Sequence, residues 1–86
     1  MDAILFYNAV SKGDLEKIKE FHKTTGNLPL NKNVFYMNNY FPLPLIIALE
    51  KGHKELAKYF IENGADLDVV CKRKNKTPRE FIPKDF

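Results

Sequence analysis

Two stretches of the chain repeat one order of small, apolar and polar positions. The first runs Asn8-Ala9-Val10-Ser11-Lys12-Gly13-Asp14-Leu15-Glu16-Lys17-Ile18-Lys19-Glu20-Phe21. The second runs Ile47-Ala48-Leu49-Glu50-Lys51-Gly52-His53-Lys54-Glu55-Leu56-Ala57-Lys58-Tyr59-Phe60. In each, a small and an apolar residue precede two polar ones, a glycine and another polar residue, and a run with helical periodicity follows. Self-similarity of this kind marks a repeat architecture. Leu15, Ile18 and Phe21 in the first stretch, and Leu56, Tyr59, Phe60 and Ile61 in the second, put one apolar stripe on a helix with Lys and Glu opposite.

The residues between the stripes read as punctuation. Gly13 and Gly52 can adopt the left-handed conformation that ends a first helix. Asp14 is a good N-cap for a second helix, and His53 holds the same place less well. Gly26 and Gly64 then serve as C-terminal stops. The pattern predicts helices at about 3–11, 15–24, 44–51 and 54–62, with a short turn at 78–82. Residues 26–43 are a connector rich in Asn, Pro and aromatics, where Pro29 and Pro42 break regular structure and Pro44 suits the first turn of the next helix. Residues 65–76 form the second connector, and no strand pattern of comparable strength is present.

Composition narrows the class. With 86 residues, 44% hydrophobic and 29% charged, the chain is an ordinary globular composition and at most one domain with a thin core. Its longest apolar stretch, Leu45 to Leu49, is too short to cross a bilayer, and an acid at position 2 with no basic n-region is unlike a signal peptide. A single cysteine, Cys71, excludes an internal disulfide and points to a reducing compartment. The expected location is therefore intracellular and cytoplasmic, with the nucleus or a host-cell cytosol as variants. The many Asn and Lys residues suit an AT-rich genome, such as that of a virus or an intracellular bacterium. The net charge of +3 is local: 5 of the 14 basic residues lie within 72–79, and the remaining 9 face 11 acids.

The second stretch resembles the ankyrin repeat, whose unit is a turn and two helices with a period of about 33 residues. Leu43-Pro44-Leu45-Ile46-Ile47-Ala48-Leu49, then Gly52-His53, then Asn63-Gly64-Ala65-Asp66-Leu67-Asp68 match the family's Thr-Pro-Leu-His-x-Ala opening, its central Gly-His and its closing Gly-Ala-Asp-Val-Asn. Thr77-Pro78 looks like the opening of a third unit. Leu43 and Ile46 replace the family's Thr and His, the first unit lacks the Thr-Pro-Leu opening, and Gly13 and Gly52 are 39 residues apart, an insertion of about six. The resemblance implies an all-α fold, an ankyrin-like helix-turn-helix solenoid with extended connector fingers. It implies a single domain over residues 1–86, with units at about 1–30 and 38–70 and a partial unit at 72–86. Met1 and a plausible first cap argue for a genuine N-terminus, although a fragment of a longer array has the same pattern.

In ankyrin proteins the fingers and the exposed part of each first helix form a concave binding surface. By resemblance, that surface here takes Asn39, Tyr40 and Pro42 from one finger, Arg73, Lys74 and Lys76 from the next, and Ser11, Lys12, Glu50 and Lys51 from the first helices. The inserted segment 31–41 holds Phe35, Tyr36, Tyr40 and Phe41 with Met37, a composition typical of binding hot spots. Tyr36 and Tyr40, each with a polar tip, are partner-contact candidates, whereas Phe35 and Phe41 suit covering the solenoid's own edge. The basic run 72–79 fits an acidic patch on a partner protein, nucleic-acid phosphate, a nuclear import signal or simply a solvated turn. No aromatic platform flanks it to stack single-stranded bases.

Catalysis finds little footing. His22 and His53 are the only histidines, Ser11 is the only serine and has no glycine elbow, and Cys71 beside Lys72 and Arg73 has no positioned histidine. No zinc or calcium spacing and no phosphate-binding glycine loop is present, so no cofactor or metal is expected. The sequence points to a non-catalytic protein-interaction module, an inhibitor or effector that masks a partner's surface. The alternative is a nucleic-acid-associated or nuclear protein using 72–79. A solenoid usually needs about three units. The face around Leu49, Phe60 and Ile61 has only Phe81, Ile82 and Phe86 to cover it, with Pro83 barring a full helix. That predicts marginal stability, self-association through the C-terminal face or a docked partner, and no membrane.

Overall fold

The structure is a computed structural model that describes residues 3–33, 35, 36, 38–84 and 86. In chain order it contains α1 (Ala3–Lys12), α2 (Leu15–Thr25), a two-stranded hairpin of β1 (Phe35–Tyr36) and β2 (Asn39–Tyr40), α3 (Pro44–Glu50), α4 (Lys54–Glu62) and a single 3-10 turn, Pro78–Phe81. No helix of the described residues is long and apolar enough to cross a membrane.

Each helix pair turns by the same device. The amide of Asp14 donates to the Ala9 carbonyl at 3.0 Å, and 39 residues later the amide of His53 donates to the Ala48 carbonyl at 2.9 Å. Both bonds span a glycine in the left-handed region, Gly13 at φ 72° and Gly52 at φ 75°, and both close the last turn of a helix on itself. The Asp14 carboxylate accepts from the Lys17 amide at 3.2 Å, as an N-cap should. His53 stands at the N-cap of α4 but makes no side-chain capping bond. Pro44 opens α3 at a position where a missing N–H costs nothing. The Gly26 amide, at φ 74°, closes α2 on the His22 carbonyl.

The helices pack α1 on α2, α3 on α4, and α1 on α3, an all-α stack. Phe6, Val10, Ile18, Leu45, Ala48, Leu56, Ala57 and Phe60 are buried in one core that the two pairs share. The Phe6 ring lies 4.9 Å from Phe21 within its own pair and 6.3 Å from Phe60 in the next, so one side chain fastens both units. Leu28 and Leu30 of the first connector are also buried in this core. A smaller cluster of Leu43, Ile46 and Cys71 lies under the second connector, with Val69 and Phe81 against it. Phe86 packs on the main core, so the end of the chain covers part of the α3–α4 face, as its aromatic residues suggested.

The strands absent from the sequence pattern are finger tips. β1 and β2 pair Phe35 with Tyr40 and Tyr36 with Asn39. The second connector repeats the shape with one bridge, Cys71 to Lys76. Asn38 (φ 65°) and Asn75 (φ 57°) supply the left-handed residue at each tip. Asparagine tolerates that conformation better than other non-glycine residues, which explains its use here.

Candidate functional site

The two fingers lie side by side, and two asparagines of the first connector hold the second one. Asn31 donates through Nδ2 to the Gly64 carbonyl at 3.0 Å and accepts at Oδ1 from the Asp66 amide at 2.7 Å. Asn33 donates to the Val70 carbonyl and accepts from the Lys72 amide, both at 2.8 Å. Each amide side chain thus bonds like an extra strand residue, one donor and one acceptor, across 33 to 39 positions of sequence. Sequence reasoning passed over both. Their signal was the Asn-x-Asn spacing, which puts two side chains on one side of an extended segment.

On this frame several of the expected surface residues come together. Arg73 donates from Nη1 to the Tyr40 carbonyl at 3.2 Å, and the Lys72 ammonium lies 5.5 Å from the centre of the Tyr40 ring. The half-buried Tyr40 therefore meets the second finger twice, through its ring with Lys72 and through its carbonyl with Arg73. Pro42, also half-buried, leads from this finger into α3. Lys74 reaches back to Glu50 at 3.2 Å, with about a third of each side chain exposed (34% and 35%). That pair joins the second finger to the end of α3, where Lys51 stands exposed. Lys76 is exposed, while its carbonyl accepts from the Cys71 amide. Lys12 is exposed at the end of α1, and the half-buried Ser11 beside it is engaged by His53 through its carbonyl. The side chains of Tyr36 and Asn39 lie outside the described part of the structure, as do residues 34 and 37.

The charge of the basic run is partly met within the fold. Lys74 is matched by Glu50, and Arg79 grips both oxygens of Asp68, Nε to Oδ1 at 2.8 Å and Nη2 to Oδ2 at 3.0 Å. The hydrogen bond from Arg79, reinforced by its charge, holds the Asp68 carboxyl below the usual carboxylate range. Cys71, the thiol of the same stretch, is fully buried. His22 bonds through Nδ1 to the Tyr59 hydroxyl at 2.8 Å, tying α2 to α4, with the Lys19 ammonium 5.9 Å from the Tyr59 ring centre. Both histidines therefore link one helix pair to the other.

Over 74 residues the chain is 38% identical to a protein of Rickettsia bellii (strain RML369-C) that carries the name of an ankyrin repeat protein. The match covers 86% of this chain and 44% of the relative, so the chain spans less than half the relative's length. No protein-family model and no solved structure matches the chain. The twice-used glycine turn, the helix pairs stacked through Phe6, the paired connector fingers and this similarity together show that the chain belongs to the ankyrin repeat family.

Proposed function

We propose that the chain is a non-catalytic protein-binding module whose partner seats on the two fingers and the adjoining end of α3. The observation that carries the reading is the junction at Tyr40, where the first connector's ring lies under the Lys72 ammonium and its backbone carbonyl accepts from Arg73, both cations of the second connector. An amphipathic ring beside a guanidinium is the composition of an interaction hot spot. Lys72, Arg73 and Lys76 are exposed there, and they favour a partner with an acidic patch. A module of this kind acts by masking the surface it covers, as an inhibitor or effector does, inside the cell. The pairing of Lys74 and Arg79 with carboxylates leaves fewer charges for phosphate, which favours the protein partner over nucleic acid.

The test is affinity purification with the unaltered chain beside Tyr40→Ala and Lys72→Glu/Arg73→Glu variants, each first shown to be folded. A specific partner retained by the unaltered chain and lost by both variants is the expected outcome. Equal recovery on all three sinks this surface. A nucleic acid recovered in the partner's place, with affinity falling steeply with salt, would move the function to the alternative class.

A further inference from the structure

A second feature of the surface is not on the fingers but is a groove elsewhere on the molecule. It lies on the outer face of the first helix pair, between α1 and α2, and encloses about 220 Å3. Its floor is Phe6, Ala9, Ile18 and Phe21, with Leu5, Lys12 and Lys17 around it. Leu5 is 58% exposed, a large apolar side chain left in water at the edge of an apolar hollow.

The internal repeat says what kind of face this is. With Gly13 aligned on Gly52, the groove residues Phe6, Ala9 and Phe21 correspond to Leu45, Ala48 and Phe60, all buried in the second pair. His53, at the position of Asp14, faces Ser11 and Gly13 of the first pair. The groove is therefore the first pair's copy of the face by which the second pair receives its neighbour. Three of its positions have changed character, however. Asn8 stands where the second pair has Ile47, Asp14 where it has His53, and Lys17 where it has Leu56. Another helix pair, or a second copy of this chain, would press an amide, a carboxylate and an ammonium into an apolar contact, at the cost of desolvating each. The face is unsuited to stacking, but its floor is apolar, with Phe6, Ala9, Ile18 and Phe21 each at most 9% exposed and Leu5 left in water at its edge.

A smaller occupant satisfies both facts. The hollow is below the size that holds a drug-like ligand and suits one or two large apolar side chains. The exposed Asp14 carboxylate caps α2 through the Lys17 amide, and the two exposed ammonium groups of Lys12 and Lys17 outnumber it at the rim, so the charge offered outward is net positive. We propose that this groove is a second docking site, independent of the fingers, for a short amphipathic segment of another protein that buries a bulky apolar residue between α1 and α2 and sets carboxylates beside Lys12 and Lys17.

The proposal is tested by amide NMR on the full chain with two synthetic helical peptides. They share a central pair of leucines, flanked by glutamates in one and by lysines in the other. The glutamate peptide is expected to shift the amides of residues 5, 9, 12 and 17 saturably, and to bind at least about tenfold more tightly than the lysine peptide. Lys12→Glu/Lys17→Glu should reverse that preference. Both lysines are exposed, so these changes do not threaten the fold, and Leu5→Ser, also at an exposed position, should weaken the glutamate peptide. Equal binding of the two peptides, shifts confined to the fingers, or no saturable shift in the millimolar range would overturn the proposal. So would movement of the groove resonances with protein concentration alone, which would assign the face to self-association.

Discussion

His53 Nε2 donates to the carbonyl oxygen of Ser11 at 3.0 Å, and its ring occupies the space a Cβ on Gly13 would need. That Cβ would stand 2.6 Å from His53 Nδ1, closer than real contacts allow. Gly13 therefore serves two purposes, the left-handed turn and the approach of the neighbouring unit. Gly52 has the same φ but nothing within 4 Å. Gly52→Ala should cost about 1 kcal/mol, the price of the backbone conformation alone. Gly13→Ala should cost about 1–2 kcal/mol more, because the imidazole must move and abandon Ser11. Urea denaturation of both variants, and of Gly13→Ala combined with His53→Ala, measures this. Equal losses at the two glycines would remove the second role.

The two asparagine bridges should be separable by hydrogen exchange. Asn31→Ala should accelerate exchange of the Asp66 amide and leave the Lys72 amide alone, and Asn33→Ala should do the reverse. Each is expected to cost about 1 kcal/mol, the net worth of exposed hydrogen bonds to backbone. Should either variant free both amides together, the connector is one cooperative strap and the bridges are not independent.

These bridges also show where sequence reasoning stops. The helices were legible because their signals are local: a glycine turn, the Asp14 cap, Pro44 at a first turn and stripes of period 3.6. The role of Asn31 was not, since its partners lie more than 30 residues away and no local rule marks them. His53 was assigned to its own helix start, but tertiary packing drew its ring to Ser11 instead. The basic run leaves several readings open in the sequence, from a solvated turn to a phosphate or acidic-patch contact, because Glu50 and Asp68 are distant or weakly patterned partners for Lys74 and Arg79. The apolar face expected to stand open lay at the C-terminal end. Phe86 packs there, and a larger hollow than the one beside it lies on α1 and α2, where the polar Asn8, Asp14 and Lys17 disguised it.

Tyr7 supplies a pH signature. Its ring stacks on Phe41 at 4.5 Å, and its buried hydroxyl has no hydrogen-bond partner among the described residues. Burial first, and the neighbouring Cys71 second, push its pKa up to about 12. A raised pKa means the folded state keeps a proton that the unfolded chain releases near 10. The contribution is intact below pH 10 and is lost as pH rises toward 12, on the order of 2 kcal/mol by pH 11.5. Tyr7→Phe should remove this alkaline loss while leaving stability at pH 7 equal or higher, because the unpartnered hydroxyl goes with it. Denaturation midpoints of the two proteins at pH 7 and 11.5 decide the matter, and parallel losses would refute it.

Cys71 anchors the second finger from beneath. It is fully buried with Leu43 and Ile46, while its backbone pairs with Lys76. A thiol reagent should label it only as fast as this region opens, so the rate should rise with urea in step with unfolding. Cys71→Ser is expected to cost about 1–3 kcal/mol, since the hydroxyl must be buried in an apolar cluster. Rapid labelling in native buffer would show that the finger lifts readily.

The Asp68–Arg79 pair gives the last prediction, and its readout is titration because the pair is exposed. Both side chains keep more than half of their surface in water (69% and 60%), so solvent screens them and little stability is expected from the contact. The geometry is nonetheless bidentate, and the Arg79 amide donates separately to the Leu67 carbonyl at 3.0 Å. Because the folded pKa of Asp68 is depressed, what the pair contributes is present above the ordinary carboxylate value near 3.9 and disappears as pH falls through the lower folded value. Following the Asp68 carboxyl carbon by NMR, Arg79→Ala should raise the midpoint into the ordinary range, and Arg79→Lys should restore only part of the depression, because an ammonium cannot grip both oxygens in one plane. A midpoint that Arg79→Ala leaves unchanged would mean that the guanidinium does not hold Asp68 in solution.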